Sequence, residues 1–114
     1  MADDCLFCKI VDGTIDSNKV KETDIVLAFQ DINPAAPTHT LVIPKKHIAS
    51  AHDLSPQDGD VLGEIFAVAA AIADEAGISD GYRVVTNIGS SAGQSVFHLH
   101  FHVLGGRDFS WPPG

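Results

Sequence analysis

The sequence predicts a single α+β domain with a mostly antiparallel sheet, and three observations support this fold class. The 114 residues are 45% apolar and 19% charged, enough apolar material for one core and too little charge for disorder. One segment has strong helical periodicity, and most other apolar segments have strand-like composition. Short turns join the strand segments, and the long helix interrupts them once. Residues 1–114 contain no internal repeat or linker, so we treat them as one domain.

The strongest helix prediction covers residues 56–76. Ser55 is a suitable N-cap, Pro56 suits the first helical position, and Gly77 supplies a stop. Apolar residues recur at helical spacing: Leu62, Ile65, Phe66, Ala69, Ile72, Ala73 and Ala76. Val61 and Val68 widen this stripe beyond one packing face, which suggests a helix covered on two sides, the second by a partner subunit.

The strand predictions rest on runs rich in β-branched, aromatic and Leu residues. These runs are residues 25–29, 38–43, 82–86 and 96–104. Pro34 and Pro37 mark the turn between the first two strands, and Pro44 ends the second. A shorter strand is expected near Val20, and a short helix over residues 6–11. Together these elements predict a sheet built from chain neighbours.

The formal net charge of −8 disfavours several classes of partner. The seven basic residues are scattered, and only Lys45 and Lys46 are adjacent. Because nucleic-acid binding depends on Lys and Arg neutralising phosphates, we expect no nucleic-acid partner. The same argument disfavours an anionic membrane surface. A small ligand in a pocket remains compatible with this charge, since local hydrogen bonds can act against the overall field.

We expect a cytoplasmic protein. The start Met-Ala-Asp-Asp is acidic, whereas a secretory signal needs basic residues and a long apolar run. The longest apolar stretch, residues 65–73, is far shorter than the ~20 residues that span a bilayer. Cys5 and Cys8 form a Cys-x-x-Cys pair, which in a reducing compartment indicates a metal or redox site.

Residues 96–104 are the most informative segment. Because side chains on a strand alternate between faces, four apolar residues should form a buried face and three histidines the opposite one. The apolar set is Phe97, Leu99, Phe101 and Val103, and the histidines are His98, His100 and His102. Near neutral pH an imidazole can be nucleophile, donor or metal ligand. The three rings could therefore form a zinc site or a catalytic row.

The segment just before the histidines favours phosphorus chemistry. Residues 89–95 read GSSAGQS and are rich in glycine and serine. Such a loop exposes backbone N–H groups and hydroxyls to an anion without steric obstruction. A phosphate-binding loop beside a nucleophile makes attack at phosphorus more plausible than metal binding alone.

Several motifs resemble one known family. Residues 98–104 read HLHFHVL, the His-x-His-x-His pattern of the histidine-triad (HIT) superfamily. The same family pattern is fitted by residues 29–34 (FQDINP), 36–39 (APTH), 42–47 (VIPKKH), 93–95 (GQS), 105–107 (GGR) and 111–114 (WPPG). The chain is most similar to the histidine-triad nucleotide-binding branch, whose members are purine nucleoside phosphoramidases.

This resemblance implies a five-stranded antiparallel sheet with one long and one short helix, and a homodimer with the long helix at its interface. It also implies that the protein is a hydrolase. His100 would attack the α-phosphorus of a nucleoside phosphoramidate or acyl-nucleotide and form a nucleotidyl-histidine, from which water releases the nucleoside monophosphate. No cofactor is implied for the catalysis itself.

The resemblance also implies roles for other residues. His39 and His102 would stabilise phosphoryl charge, and Asp31 would bind both ribose hydroxyls. The loop residues Asn87, Gly93, Gln94 and Ser95 would bind the phosphate, with Ser95 also near the leaving group. The purine pocket would be walled by Phe7, Ile10, Phe29 and Leu41. Trp111 would reach the site of the neighbouring subunit.

A structural zinc ion is implied by similarity to bacterial relatives that carry the cysteine pair. In those relatives the remaining ligands lie at the positions of His47 and His98, so the set here would be Cys5, Cys8, His47 and His98. This assignment leaves His100 and His102 free for catalysis.

Three alternative functions remain open at this stage. One keeps the fold but takes dinucleoside polyphosphates as substrate. Another is a nucleotide-binding module that acts through partners, with vestigial activity. The third is a metallohydrolase that uses His98, His100 and His102 as zinc ligands.

Overall fold

The computed structural model describes residues 4–114, so most of the acidic start discussed above lies outside the described residues. The strands are β1 (Lys19–Glu22), β2 (Val26–Gln30), β3 (Thr38–Pro44), β4 (Tyr82–Val85) and β5 (Phe101–Gly105), and the α-helices are α1 (Leu6–Val11) and α2 (Gly59–Ala76). All strand pairs are antiparallel, in the order β1-β2-β3-β5-β4. The predicted α+β class, five-stranded sheet and long helix are confirmed.

The long helix begins and ends with the residues that the sequence singled out. Its first turn, Pro56–Asp58, is a 3-10 helix that continues directly into α2. The Asp58 carboxylate accepts the Ser55 backbone N–H at 3.0 Å, which fixes the entry of the chain. Gly77 ends the helix with a φ of 73°, a left-handed conformation that glycine adopts without strain.

The sheet separates two apolar clusters because strand side chains alternate. In β2, Val26 and Ala28 pack with the buried residues of α2, whereas Leu27 and Phe29 pack with the apolar residues of α1. The same alternation in β3 places Leu41 on the α1 side. Leu41 of β3 pairs with His102 of β5, so this histidine lies beside the α1 cluster. None of the described helices is long and apolar enough to span a bilayer.

The predicted strand over residues 96–104 is wrong in its first half, because β5 begins only at Phe101. Pro44, the last residue of β3, has no N–H to donate to a partner strand, and its carbonyl accepts the His98 ring at 2.8 Å. The Leu99 N–H donates to the Ile48 carbonyl instead of a strand neighbour. Consequently Phe97 is 52% exposed rather than buried, whereas Leu99, Phe101 and Val103 are buried as predicted.

Candidate active site and metal cluster

A cleft of about 320 Å³ lies between α1 and the sheet, and it brings together residues that are far apart in the sequence. Eight of the predicted site residues line it: Phe7, Ile10, Phe29, Asp31, Leu41, Ser95, His100 and His102. Its wall therefore combines apolar side chains from α1, β2 and β3 with two imidazoles and a carboxylate.

The cleft also has lining residues that the sequence analysis did not identify. These are Leu6, Asp16, Ser17, Asn18, Gln30, Ile32, Asn33 and Val96. Several of them directly flank Asp31 or Ser95 and could have been found by their position in the motifs. The loop that holds Asp16, Ser17 and Asn18 carries no comparable signal, because polar loop residues before a strand are common.

One hydrogen bond orients the His100 ring, and a second one fixes the backbone that carries it. Its Nδ1 lies 2.7 Å from the His98 carbonyl oxygen, which can only accept, so Nδ1 carries the proton. In the neutral ring, Nε2 therefore has a free lone pair. Thr86 Oγ1 donates to the His100 carbonyl at 2.8 Å and fixes the same segment from the other side. The arrangement presents one basic nitrogen on a ring of fixed orientation.

His39 and His102 form a pair whose tautomers follow from their partners. The Ala35 N–H donates to His39 Nδ1 at 2.9 Å, so the proton of a neutral His39 is on Nε2. That Nε2 lies 2.8 Å from His102 Nδ1 and donates to it. His102 must then carry its own proton on Nε2. A neutral His102 is thus a hydrogen-bond donor through Nε2.

Asp31 supplies the negative charge beside this pair. Its Oδ2 lies 3.3 Å from His39 Nε2 and 3.9 Å from His102 Nδ1, and its Oδ1 accepts the Asn33 N–H at 2.8 Å. Burial lowers the pKa of His102 to about 4, helped by His100 and His39 and opposed by Asp31. His102 is therefore neutral at physiological pH.

The loop of residues 89–95 positions Ser95 at the cleft, whereas the side chain of Gln94 is hydrogen-bonded to backbone groups. The Gln94 side-chain amide donates to the carbonyls of Ala49 and Val96, and its Oε1 accepts the Gly89 N–H at 2.9 Å. The side chain is 97% buried, so in this structure it holds the loop rather than facing a phosphate. The predicted donation from this side chain therefore needs correction to a positioning role.

Three further predicted residues lie outside the cleft lining: Asn87, Gly93 and Trp111. Gly93 has a φ of 101°, and a Cβ there would lie 3.7 Å from Asn87 Nδ2, so these two residues are neighbours at the loop. Trp111 is 83% exposed near the end of the chain. His39 is also absent from the cleft lining and acts on it through His102.

The predicted metal ligands converge in one cluster. The Sγ atoms of Cys5 and Cys8 lie 3.3 Å and 3.4 Å from His98 Nδ1. His47 Nδ1 lies 3.3 Å from both Cys8 Sγ and His98 Nδ1. Tetrahedral zinc with Zn–S near 2.3 Å and Zn–N near 2.0 Å requires ligand separations of roughly 3.3–3.8 Å. The four donor atoms approach that spacing.

The protonation states of the cluster also suit a cation. His98 Nε2 donates to the Pro44 carbonyl, so its Nδ1 lone pair faces the two sulfurs. Burial lowers the pKa of His98, which favours the neutral ring that a metal needs. Burial and the adjacent Cys5 thiol raise the pKa of Cys8 to about 11. Binding of a metal at this position would therefore have to displace the Cys8 proton.

The three histidines do not share one metal site. The ring of His98 belongs to the cysteine cluster, whereas His102 groups with Asp31 and His39. The Nδ1 proton of His100 is directed at a carbonyl. The interpretation of these rings as a zinc-binding trio is therefore contradicted by the described residues.

Comparisons with known proteins agree with this architecture. A HIT domain profile matches residues 12–109. An uncharacterized HIT-like protein of Synechocystis sp. is 48% identical over the full length of both chains. A 14 kDa zinc-binding protein of Zea mays is 47% identical over 96% of this chain and 87% of its own.

A solved structure, that of a HIT family hydrolase from Legionella pneumophila, superposes with a TM-score of 0.95 at 50% identity and covers 97% of this chain and 100% of its own. The profile match spans most of the chain, and the structural likeness extends from the sheet to both helices. The chain therefore belongs to the HIT family.

Proposed function

We propose that the protein is a nucleotide-binding hydrolase of the histidine-triad nucleotide-binding branch, similar to purine nucleoside phosphoramidases. The observation that carries this proposal is the 2.7 Å contact between His100 Nδ1 and the His98 carbonyl. It leaves the Nε2 lone pair of His100 free on a ring that lines the cleft. A neutral imidazole in this tautomer is nucleophilic at pH 7 without a separate base.

The walls of the cleft suit a purine nucleotide. Phe7, Ile10, Phe29 and Leu41 are buried apolar residues that would enclose the base. The Asp31 carboxylate would accept hydrogen bonds from the ribose hydroxyls. His102, a donor through Nε2, would stabilise charge on the phosphoryl oxygens, together with the Ser95 hydroxyl. The base would thus lie toward α1 and the phosphate toward the histidines.

In the proposed reaction, the bond between His100 Nε2 and the α-phosphorus forms while the bond from phosphorus to the leaving group breaks. A leaving amine takes up a proton from solvent as it departs, and the nucleotide stays on His100 through the new P–Nε2 bond. Water then attacks phosphorus and the P–Nε2 bond breaks, which restores the neutral histidine. The nucleoside monophosphate is released, and the proton that water loses returns to solvent. The hydrogen bond from His39 would hold His102 in its donor tautomer throughout.

A zinc ion would be held by Cys5, Cys8, His47 and His98, and it would fix these residues without touching the reacting atoms. The closed four-ligand set leaves no position for a substrate, as in structural zinc sites. The similarity to a zinc-binding protein of Zea mays supports the same assignment.

The decisive experiment is denaturing mass spectrometry after mixing with a slowly hydrolysed adenosine phosphoramidate. We expect an adduct of one adenylyl group on the wild type and none on His100→Ala. His52→Ala is the matched control, because His52 is an exposed histidine outside the cleft and the cluster, and it should retain the adduct. An adduct on His100→Ala would assign the nucleophile elsewhere.

Steady-state turnover distinguishes the alternatives. Adenosine phosphoramidate should be hydrolysed faster than a diadenosine polyphosphate at equal concentration. The reverse order would favour a polyphosphate hydrolase. Binding of AMP without turnover of either compound would favour an interaction module.

We also propose a homodimer with α2 at its interface. Phe66 on this helix is 49% exposed although it packs against Phe101, with ring centroids 5.5 Å apart. β4 is an edge strand of the sheet, and its free edge could approach a second copy. Light scattering should give twice the monomer mass for the wild type and a lower mass for Phe66→Glu. A monomeric wild type would exclude this assembly.

A further inference from the structure

We propose that the metal cluster and the nucleotide cleft are energetically coupled through α1, so that bound metal and bound nucleotide each tighten the binding of the other. This proposal rests on the proposed function, because it takes the cleft to be the nucleotide site. It goes beyond a structural role for the metal, since it makes affinity for the nucleotide depend on the occupancy of a site that contacts no substrate.

The first link is the helix itself. Cys5 caps α1 by accepting the Cys8 N–H on its Sγ at 3.2 Å, so both cysteines of the cluster define the first turn. Phe7 and Ile10 of the same helix line the cleft. A helix of six residues is too short to be stable on its own and depends on tertiary contacts. The cluster therefore restrains this wall of the cleft together with the apolar packing of Phe7 and Ile10.

The second link is the Phe7 ring, which contacts both sites at once. Its centroid lies 6.0 Å from that of His98, a member of the cluster, and 5.1 Å from that of His100. It also meets Phe29, another wall of the cleft, edge to face at 5.4 Å. A shift of α1 would move this ring relative to all three partners.

The third link passes through residue 98 along the backbone. The His98 ring faces the cysteines, while its carbonyl oxygen holds the His100 Nδ1 proton. Any rotation of the His98 peptide that accompanies a loss of the ligands would disturb the orientation of His100. Both elements that the nucleotide would contact, the apolar wall and the imidazole, are thus joined to the cluster by direct contacts.

Thermodynamic linkage requires that this coupling be reciprocal. If zinc raises the affinity for a nucleotide by some factor, the nucleotide must raise the affinity for zinc by the same factor. We expect a factor of roughly 5 to 150, the ordinary range for coupling between two binding sites.

The test measures zinc affinity on the full chain, in a zinc buffer that fixes the free Zn²⁺ concentration so that complexation by AMP does not interfere. Zinc occupancy is titrated without AMP and with saturating AMP. AMP should lower the dissociation constant for zinc about 5- to 150-fold. Calorimetry of AMP binding to zinc-loaded and zinc-depleted protein should give the same ratio.

Two variants separate coupling through α1 from coupling through global folding. Phe7→Leu keeps an apolar side chain but removes the ring contacts with His98 and His100, so the coupling factor should fall clearly below the wild-type value. Lys9→Ala changes the same helix outside the cleft and the cluster, and it should retain the wild-type factor.

Three outcomes of these titrations decide whether the coupling, the proposed function or both are wrong. Equal zinc affinity with and without AMP, in a protein that binds AMP, would overturn the coupling and leave the proposed function intact. Equal coupling in Phe7→Leu and Lys9→Ala would show that the contacts of Phe7 do not carry it, which also overturns the proposal. A chain that binds no AMP at any zinc concentration would overturn the proposed function and this inference together.

Discussion

The chain holds two groups of imidazoles that differ in what their ring nitrogens face. In the cluster of Cys5, Cys8, His47 and His98, the donor atoms converge on one point, and the second nitrogen of His98 is bonded to a carbonyl. In the pair His39 and His102, a protonated nitrogen faces an unprotonated one at 2.8 Å. The first arrangement suits a cation, and the second suits the relay of a hydrogen bond.

This difference shows that proximity of ligand-type residues does not by itself make a metal site. Asp31, His39 and His102 are also close enough to hold an ion. However, the Ala35 N–H occupies His39 Nδ1, which obliges Nε2 to keep its proton. Ligation through His39 Nε2 would require the opposite tautomer and would set two N–H groups against each other. Backbone partners thus decide the chemistry of each group.

The largest expected effect is on stability and belongs to the cysteine cluster. Cys8→Ser should abolish zinc binding and lower the free energy of unfolding by about 4 kcal/mol, the value for a ligand present at 1,000 times its dissociation constant. The melting temperature should fall by roughly 15–20 °C. Elemental analysis measures the zinc content, and calorimetry measures the melting temperature and the free energy of unfolding. His52→Ala is the control that should keep the metal. Turnover at saturating nucleotide should fall far less than in His100→Ala, because no reacting atom touches the cluster and only the orientation of the His100 ring depends on it. A collapse of that turnover would place the metal in the chemistry.

The next effect is on the rate and belongs to the histidine pair. His39→Ala removes the Nε2–H donor that holds His102 in its donor tautomer, so the turnover number should fall by roughly 10²-fold, or about 2.7 kcal/mol. Zinc content should stay at the wild-type level, because His39 is not part of the cysteine cluster. An unchanged turnover number would show that the tautomer of His102 is not set by His39.

The smallest effect concerns pH. The native protein holds the pKa of His102 near 4, below its ordinary value of 6.5, so the unfolded chain binds a proton first as pH falls. The free energy of unfolding should therefore decrease between about pH 6.5 and pH 4, with roughly 1–3 kcal/mol due to this group. Urea titrations of wild type and His102→Asn should give a shallower pH slope for the variant. Equal slopes in the two proteins would mean that folding does not lower the pKa of His102.

Sequence patterns predicted the elements better than they predicted the backbone at the site. Helical spacing and the stop at Gly77 located the long helix, and alternation located the buried face of Leu99, Phe101 and Val103. Alternation failed before Phe101, because hydrogen bonds from the His98 ring and the Leu99 N–H replace the strand ladder there. Pro44 is the sequence feature that indicated this limit. A proline has no N–H, so it cannot donate a further hydrogen bond to extend the pairing of the two strands.

The candidate site was predicted as a set of residues but not as a set of hydrogen bonds. Motif resemblance identified Asp31, His39 and His102 without indicating their contacts with one another. It also treated Gln94 as a ligand, although its amide is used by three backbone groups. Side-chain partners depend on distances across the fold, which residue spacing along one strand does not encode.

The sulfur that begins α1 has an evolutionary consequence. Cys5 serves both as the helix cap and as a member of the metal cluster. Serine is a preferred residue at such a capping position, so Cys5→Ser would exchange one cap for another. A single substitution, Cys5→Ser, could therefore remove one sulfur ligand of the metal cluster in the course of evolution. The helix would still begin at the same residue. A chain without this metal ligand would need other packing to hold the short helix in place.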